Sequence, residues 1–160
     1  MAHAYNDRVN ARDQYHVGMV VDDLDEALAW LAETAGYRWC EELKVDNLLV
    51  TKDSETIIPL RFTYSMDEPH VEVIQEIPGT FFAPAQASPH HVGYWSNDID
   101  GDLGVLEAAG ATVDGRGYWP DGRGPIWAFA TPPMGSRIEL VHRSSKPNME
   151  LWWSTGVRGG

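Results

Sequence analysis

Cysteine is nearly absent from this 160-residue chain, in which Cys40 is the only one. An internal disulfide is therefore impossible, and a zinc site built from several thiolates is excluded. A single cysteine at the end of a helical segment is typical of a small buried apolar side chain. We therefore expect Cys40 to have a packing role.

Basic residues are also scarce. The chain has 12 Lys and Arg against 24 Asp and Glu, a formal net charge of -12. Nucleic-acid binding requires a basic face that neutralises phosphates, so we expect no nucleic-acid partner. The charge also disfavours an anionic membrane surface. A small anionic substrate stays compatible, because local arginines or a metal ion can reverse the electrostatic field within one cleft.

Long apolar runs are missing as well. No stretch approaches the roughly 20 apolar residues that span a bilayer, and residues 1–14 lack the apolar core of a signal sequence. We therefore expect a soluble, cytoplasmic protein without a membrane partner. The hydrophobic fraction of 43% is typical of a globular domain.

What the chain does contain is an internal repeat. The His-Val-Gly segment at 16–18 returns 75 residues later at 91–93, and the Asp-Leu-Asp segment at 23–25 returns as Asp-Ile-Asp at 98–100. Further along, Glu72 and Glu139 occupy the same position within two matching apolar strands. Each copy thus opens with a histidine on a strand and closes with a glutamate on a strand. Such repetition fixes the architecture before local propensity is considered.

Hydrophobic periodicity predicts the same order of elements in both copies: a strand, a helix and three strands. In the first copy, Asp23 and Glu26 have the spacing of a helix capping box, and Gly36 ends the helix. The predicted division is an N-terminal arm (1–14), a first module (15–76), a linker (77–89), a second module (90–143) and a C-terminal tail (144–160), in which 149–153 is a short amphipathic helix. The fold class is therefore α+β, with two tandem βαβββ modules forming a curved eight-stranded mixed sheet with a central concave cleft.

These motifs in this order resemble the vicinal oxygen chelate superfamily, which includes glyoxalase I, methylmalonyl-CoA epimerase, extradiol dioxygenases and bleomycin-resistance proteins. The resemblance implies a homodimer and four metal ligands, two on the first strands and two on the last. Carried over by position, the ligands are His16, Glu72, His91 and Glu139. This mixed nitrogen and oxygen set suits a divalent ion such as Zn, Mn, Co, Ni or Fe.

Strand alternation distinguishes these histidines from their neighbours. His91 shares a strand face with Gly93, whereas His90 points to the opposite face and is the second choice for a ligand. His70 shares a face with Glu72, which would place it behind a ligand or at the mouth of the cleft. An exposed histidine at a strand end is the interpretation that we favour.

Aromatic residues in the second module suggest a pocket for a small-molecule substrate with an aromatic or bulky body. The predicted pocket residues are Trp95, Trp119, Trp127, Phe129 and Arg137. Core packing is the alternative role for most of these tryptophans.

The resemblance implies a metal-dependent isomerase, epimerase or lyase of the glyoxalase and methylmalonyl-CoA epimerase type. In such an enzyme a divalent ion stabilises an enolate, and a ligand glutamate moves the proton. We expect Glu139 in this catalytic role in preference to Glu72. One alternative is a binding or resistance protein without catalysis. Another is an Fe(II) extradiol-type dioxygenase, which Glu72 as a fourth ligand disfavours.

Overall fold

The computed structural model describes residues 8–85 and 89–159, which contain eight strands and three α-helices. The first repeat contains β1 (Gln14–Val21), α1 (Leu24–Ala35), β2 (Leu43–Val50), β3 (Glu55–Tyr64) and β4 (His70–Gln75). The second contains β5 (His91–Ser96), α2 (Ile99–Ala108), β6 (Thr112–Tyr118), β7 (Trp127–Thr131) and β8 (Ile138–His142), and α3 (Lys146–Thr155) follows. Residues 1–7 of the predicted arm and 86–88 of the predicted linker lie outside the described part.

The eight strands form a closed barrel in the order β1-β4-β3-β2-β6-β7-β8-β5. In each repeat the first and last strands are parallel neighbours, and the other pairs are antiparallel. The repeats join twice, through β1–β5 and through β2–β6. The predicted α+β class with paired modules is confirmed. Because the sheet closes on itself, the predicted concave cleft is the interior of the barrel.

The helices begin where the repeat predicts. Asp23 Oδ1 accepts a hydrogen bond from the backbone N–H of Glu26 at 2.9 Å, and Asp98 Oδ1 accepts one from Gly101 at 3.0 Å. Both carboxylates satisfy a backbone donor that the helix leaves free at its N-terminus. Gly36 ends α1 in the left-handed conformation, at φ 73°. None of the helices in the described ranges is long and apolar enough to cross a membrane.

Helix α3 covers one end of the barrel. It is longer than the predicted helix at 149–153, and it buries Trp152 and Trp153 in the same apolar core as the inward-facing residues of the strands. Cys40 is buried in this core too, as expected. Strand β2 begins at Leu43, where its pairing with β3 starts opposite Phe62.

Candidate functional site

Four side chains converge inside the barrel, two from each repeat. His16 Nε2 lies 3.0 Å from His91 Nε2, 3.2 Å from Glu72 Oε2 and 2.9 Å from Glu139 Oε2. His91 Nε2 lies 3.0 Å from Glu72 Oε2 and 3.1 Å from Glu139 Oε2. All four residues are at most 6% exposed. The structure therefore brings together the four residues that the repeat singles out.

Strand register explains the convergence. Gly18 of β1 pairs with Glu72 of β4 on one side and with His91 of β5 on the other. Gly93 of β5 pairs in the same way with Glu139 and His16. One row of paired residues across the sheet is therefore Glu72, Gly18 and His91, and the adjacent row is His16, Gly93 and Glu139.

These glycines also create the space that the imidazoles fill. A Cβ on Gly18 would lie 1.9 Å from His91 Cε1, and a Cβ on Gly93 would lie 1.9 Å from His16 Cε1. Real Cβ atoms do not approach a neighbour so closely. The glycine of each repeat therefore accommodates the histidine of the other.

Electrostatics in the cluster favour a positive charge between the carboxylates. Burial disfavours the imidazolium of His91, but Glu139 and Glu72 outweigh it and raise the pKa of His91 to about 9. The pKa of His16 is raised too, because close contacts with Glu139 and Glu72 outweigh its burial. Burial likewise disfavours the carboxylate of Glu72, and the two histidines nevertheless lower its pKa to about 2. Without a metal ion, protons on the imidazoles would balance the carboxylates.

The donor set fits a divalent cation. The four converging ligand atoms lie within 4.8 Å of one another. Glu139 Oε2 is buried, and its contacts with the two imidazoles are not aligned as hydrogen bonds. Two imidazole nitrogens and two carboxylate oxygens at these distances repel one another unless protons or a cation lie between them. Zn, Mn, Co, Ni and Fe all accept this combination of ligands.

Comparison with known families gives a match over most of the chain. Residues 15–131 match the family model described as Glyoxalase/Bleomycin resistance protein/Dioxygenase superfamily. The chain belongs to this superfamily. The superfamily resemblance predicted from the two repeats is thereby confirmed.

Solved structures similar to this superfamily member include methylmalonyl-CoA epimerases. The enzyme from Mycobacterium tuberculosis is 18% identical, with 81% of this chain and 87% of that chain covered and a TM-score of 0.47. A Streptomyces coelicolor epimerase in complex with 2-nitronate-propionyl-CoA is 16% identical, with 81% and 96% covered and a TM-score of 0.48. A hypothetical protein from Bacillus halodurans is 14% identical, with 81% and 92% covered and a TM-score of 0.48. Comparison with curated protein sequences finds no match.

A cavity of about 200 Å³ lies beside the two carboxylates. Its wall includes Glu72 and Glu139 and is otherwise mostly apolar and aromatic. Three of the predicted pocket residues, Trp119, Trp127 and Phe129, line it. Two of the lining residues are bonded to each other: the indole N–H of Trp127 donates a hydrogen bond to Asn47 Oδ1 at 2.9 Å. Three of the five predicted pocket residues therefore line a cavity next to the cluster, and ligand binding there stays a prediction.

The other two predicted pocket residues lie elsewhere. Trp95 stacks on Tyr15, with ring centroids 3.8 Å apart, and borders a separate groove beside Trp153. The guanidinium of Arg137 pairs with Asp114, at 3.0 Å from Nε to Oδ2, and does not line the cavity. The side chain of Trp95 extends toward the groove beside Trp153 and away from the cavity next to the carboxylates.

The neighbouring histidines lie behind the cluster. His90 Nδ1 is 2.9 Å from His91 Nδ1, so His90 contacts a predicted ligand without joining the four converging atoms. His70 is buried, with Nδ1 donating to the Ser65 carbonyl at 3.0 Å and its ring stacked on Trp153 at 4.0 Å. The interpretation of His70 as an exposed strand-end residue is wrong, because α3 covers it.

Two tyrosines beside the cluster were not identified from the sequence. Tyr64 is the register partner of Glu72, lines the cavity, and places its ring 5.3 Å from that of His16. Burial, and then the nearby carboxylates, raise the pKa of both Tyr15 and Tyr64 well above the ordinary value. Both hydroxyls therefore stay protonated. No sequence motif marks either tyrosine.

Proposed function

We propose that this superfamily member is a metal-dependent enzyme that moves a proton at a carbon next to a carbonyl group, as an isomerase, epimerase or lyase. The observation that carries the proposal is the convergence of four buried nitrogen and oxygen donors at the wall of an apolar cavity. Buried ionisable groups that meet at a cavity are typical of active sites.

The four cluster residues, His16, Glu72, His91 and Glu139, would hold the cation. A divalent ion bound there would act as a Lewis acid toward a substrate carbonyl oxygen. The imidazoles and the Glu72 carboxylate supply the fixed part of the site, since Glu72 is ionised and bonded to His91. Their burial keeps water away and strengthens each of these electrostatic interactions.

Glu139 is the better candidate for the group that moves the proton. It lines the cavity, and its buried Oε2 lies 2.9 Å from His16 Nε2 and 3.1 Å from His91 Nε2, but neither contact is aligned as a hydrogen bond, whereas Glu72 Oε2 has an aligned contact with His91 Nε2. A carboxylate without an aligned hydrogen bond can turn toward a substrate carbon, remove its proton and return it. Tyr64, protonated and in the same wall, can donate a hydrogen bond to a substrate oxygen.

The cavity favours a particular kind of substrate. Its volume of about 200 Å³ holds a small acyl group or a single ring, and its aromatic walls favour an apolar or ring-bearing body. We therefore propose a small carbonyl compound whose enolisable carbon lies beside the carboxylates and whose apolar part contacts Trp127 and Phe129. Cytoplasmic location and a homodimer stay predictions.

The direct test combines metal loading with hydrogen exchange. The purified protein is treated with a chelator, reloaded with Zn, Mn, Co, Ni or Fe(II), and incubated in D₂O with phenylpyruvate, 2-oxobutyrate or methylmalonyl-CoA as probes. We expect deuterium at the carbon next to the carbonyl of at least one probe, dependent on the metal and lost with the chelator. Failure to bind any of the five ions would contradict the proposal.

Binding without catalysis is the second candidate, and the apolar aromatic cavity favours it. Under this alternative, the probes would quench tryptophan fluorescence by contact with Trp127 while no hydrogen exchange occurs. Oxygen uptake by the Fe(II)-loaded protein with a catechol would instead indicate dioxygenase chemistry. The position of Glu72 within the cluster argues against that outcome.

A further inference from the structure

Two adjacent histidines form a hydrogen-bonded pair behind the cluster. His90 Nδ1 and His91 Nδ1 are 2.9 Å apart, and both residues are buried. A hydrogen bond between two ring nitrogens requires that one of them carry the proton and the other be bare. Which nitrogen carries it decides whether His91 can act as a metal ligand.

The hydrogen-bond partner of His90 Nε2 indicates which of the two Nδ1 atoms carries the proton. His90 Nε2 lies 2.8 Å from the backbone oxygen of Phe81, and a carbonyl oxygen only accepts. Donation from Nε2 to Phe81 leaves the Nδ1 of a neutral His90 bare. His91 Nδ1 then carries the proton and donates it to His90. When His91 is neutral, as a metal ligand must be, its remaining nitrogen, Nε2, then has a lone pair directed at the cluster.

A competing donor lies on the same side. Arg137 Nη1 is 2.9 Å from His90 Nε2, and a guanidinium only donates. If Nε2 accepted from Arg137, His90 Nδ1 would carry the proton and His91 would be left with its proton on Nε2, unable to bind metal. The pairing of Arg137 Nε with Asp114 leaves Nη1 able to donate to other acceptors, so the choice rests on the fixed backbone oxygen of Phe81, 2.8 Å from His90 Nε2. The arrangement that uses Phe81 is therefore the one compatible with a metal site.

We propose that His90 is a positioning residue that holds His91 in the tautomer with a bare Nε2, through the chain Phe81 carbonyl, His90, His91. Histidines that bind metals commonly donate their other N–H to such a partner, and loss of the partner weakens metal binding about 10–100-fold. The cluster is asymmetric in this respect, because His16 Nδ1 has no hydrogen-bond partner within the described residues. This inference rests on the proposed metal site.

The test compares two variants of His90 with a matched control. His90→Phe keeps a ring beside Phe82 and Phe129 but removes the acceptor. His90→Asn places an amide oxygen near the position of Nδ1 and keeps the acceptor. His70→Asn removes another buried strand histidine, which is bonded to Ser65 and not to a cluster histidine. Zinc affinity is measured by competition with a chelator, and thermal unfolding of the metal-free proteins reports folding.

The expected result is zinc binding about 10–100-fold weaker in His90→Phe, with near wild-type affinity in His90→Asn and His70→Asn. In zinc-loaded wild type, ¹⁵N NMR should show His90 protonated at Nε2 and bare at Nδ1, the acceptor state that a merely structural role would not require. Full-strength binding by His90→Phe, or a proton on Nδ1 of His90, would overturn the inference while leaving the metal site intact. A wild-type protein that binds none of Zn, Mn, Co, Ni and Fe(II) would overturn the proposed function, and this inference with it.

Discussion

Gly18 lies directly opposite His91 in the pairing of β1 with β5, and the imidazole occupies the space where a Cβ of residue 18 would be. Gly93 has the same relationship to His16. In each repeat, the glycine two residues after the histidine leaves room for the histidine of the other repeat. The histidine provides a ligand, and the glycine provides room for the ligand from across the barrel.

Gly18→Ala should therefore displace the His91 ring. We expect the variant to be about 1–3 kcal/mol less stable, because overpacking a filled interior has that cost, and to lose most of its divalent-ion affinity. Urea unfolding and metal titration check both. Gly104→Ala is the matched control, since its Cβ would meet nothing within 4 Å on α2. The control should gain up to about 1 kcal/mol from helix propensity. Unchanged metal binding in Gly18→Ala would contradict the packing argument.

Glu139→Gln should abolish most of the hydrogen exchange while the protein still folds. The amide keeps the size of the side chain but cannot accept a proton, so hydrogen exchange into a substrate should fall by about 10²–10⁴-fold, the usual contribution of a positioned acid or base. Glu72→Gln should mainly weaken metal binding and leave part of the exchange at saturating metal. Exchange rates by NMR at several metal concentrations distinguish the two variants. Equal exchange by Glu139→Gln and wild type would remove Glu139 from the mechanism.

The stability of the metal-free protein should depend on pH in two directions. The folded-state pKa of His91 is raised to about 9, so its contribution is fully present below its ordinary value of 6.5 and is lost as the pH rises through 9. The pKa of Glu72 is lowered to about 2, so its contribution is present above 4.5 and is lost as the pH falls toward 2. Stability should therefore be greatest between these limits, near pH 5–6.

Metal should change the alkaline side of that profile. A bound divalent ion replaces the Nε2 protons, and binding at neutral pH should release protons. Urea unfolding at pH 5.5, 7.5 and 9, with and without zinc, measures the effect. We expect the fall in stability between pH 6.5 and 9 only in the metal-free protein. Metal-free stability that stays constant over this interval would contradict the assigned charges.

The hydrogen bond between Trp127 and Asn47 should stabilise the cavity wall. Asn47→Leu leaves the buried indole N–H without its acceptor, at a cost of about 1–3 kcal/mol in the free energy of unfolding. The control is the same substitution in a Trp127→Phe background, where no donor is left to satisfy and the additional cost should be small. An equal cost in both backgrounds would show that the hydrogen bond is not the source of the stability.

The four cluster residues were predictable because an internal repeat carries information that a single motif lacks. His16 and Glu72 alone resemble ordinary strand residues, but their counterparts at 91 and 139 fix both register and face. The alternation of strand residues then selected His91 over His90 as the member of the cluster. The predicted helix cap at Asp23 is confirmed, and the structure shows the equivalent cap at Asp98 in the second repeat.

The positions of the pocket residues and of His70 depend on contacts between distant parts of the chain, which hydrophobic periodicity does not encode. Alternation assigns a residue to the interior of the barrel but not to one of its two ends, so Trp95 and Trp127 were grouped although they face different spaces. Arg137 was predicted to line the pocket because it shares a strand face with Glu139, and no motif indicates its pairing with Asp114. The burial of His70 depends on α3, which reaches the barrel from the far end of the chain.

Anomalous X-ray scattering from a crystal grown with cobalt or manganese tests the central claim most directly. We expect one strong peak per chain, within about 2.0–2.3 Å of His16 Nε2, His91 Nε2 and an oxygen of each glutamate. A fully loaded crystal with its only peak elsewhere, or with none inside the barrel, would contradict the account.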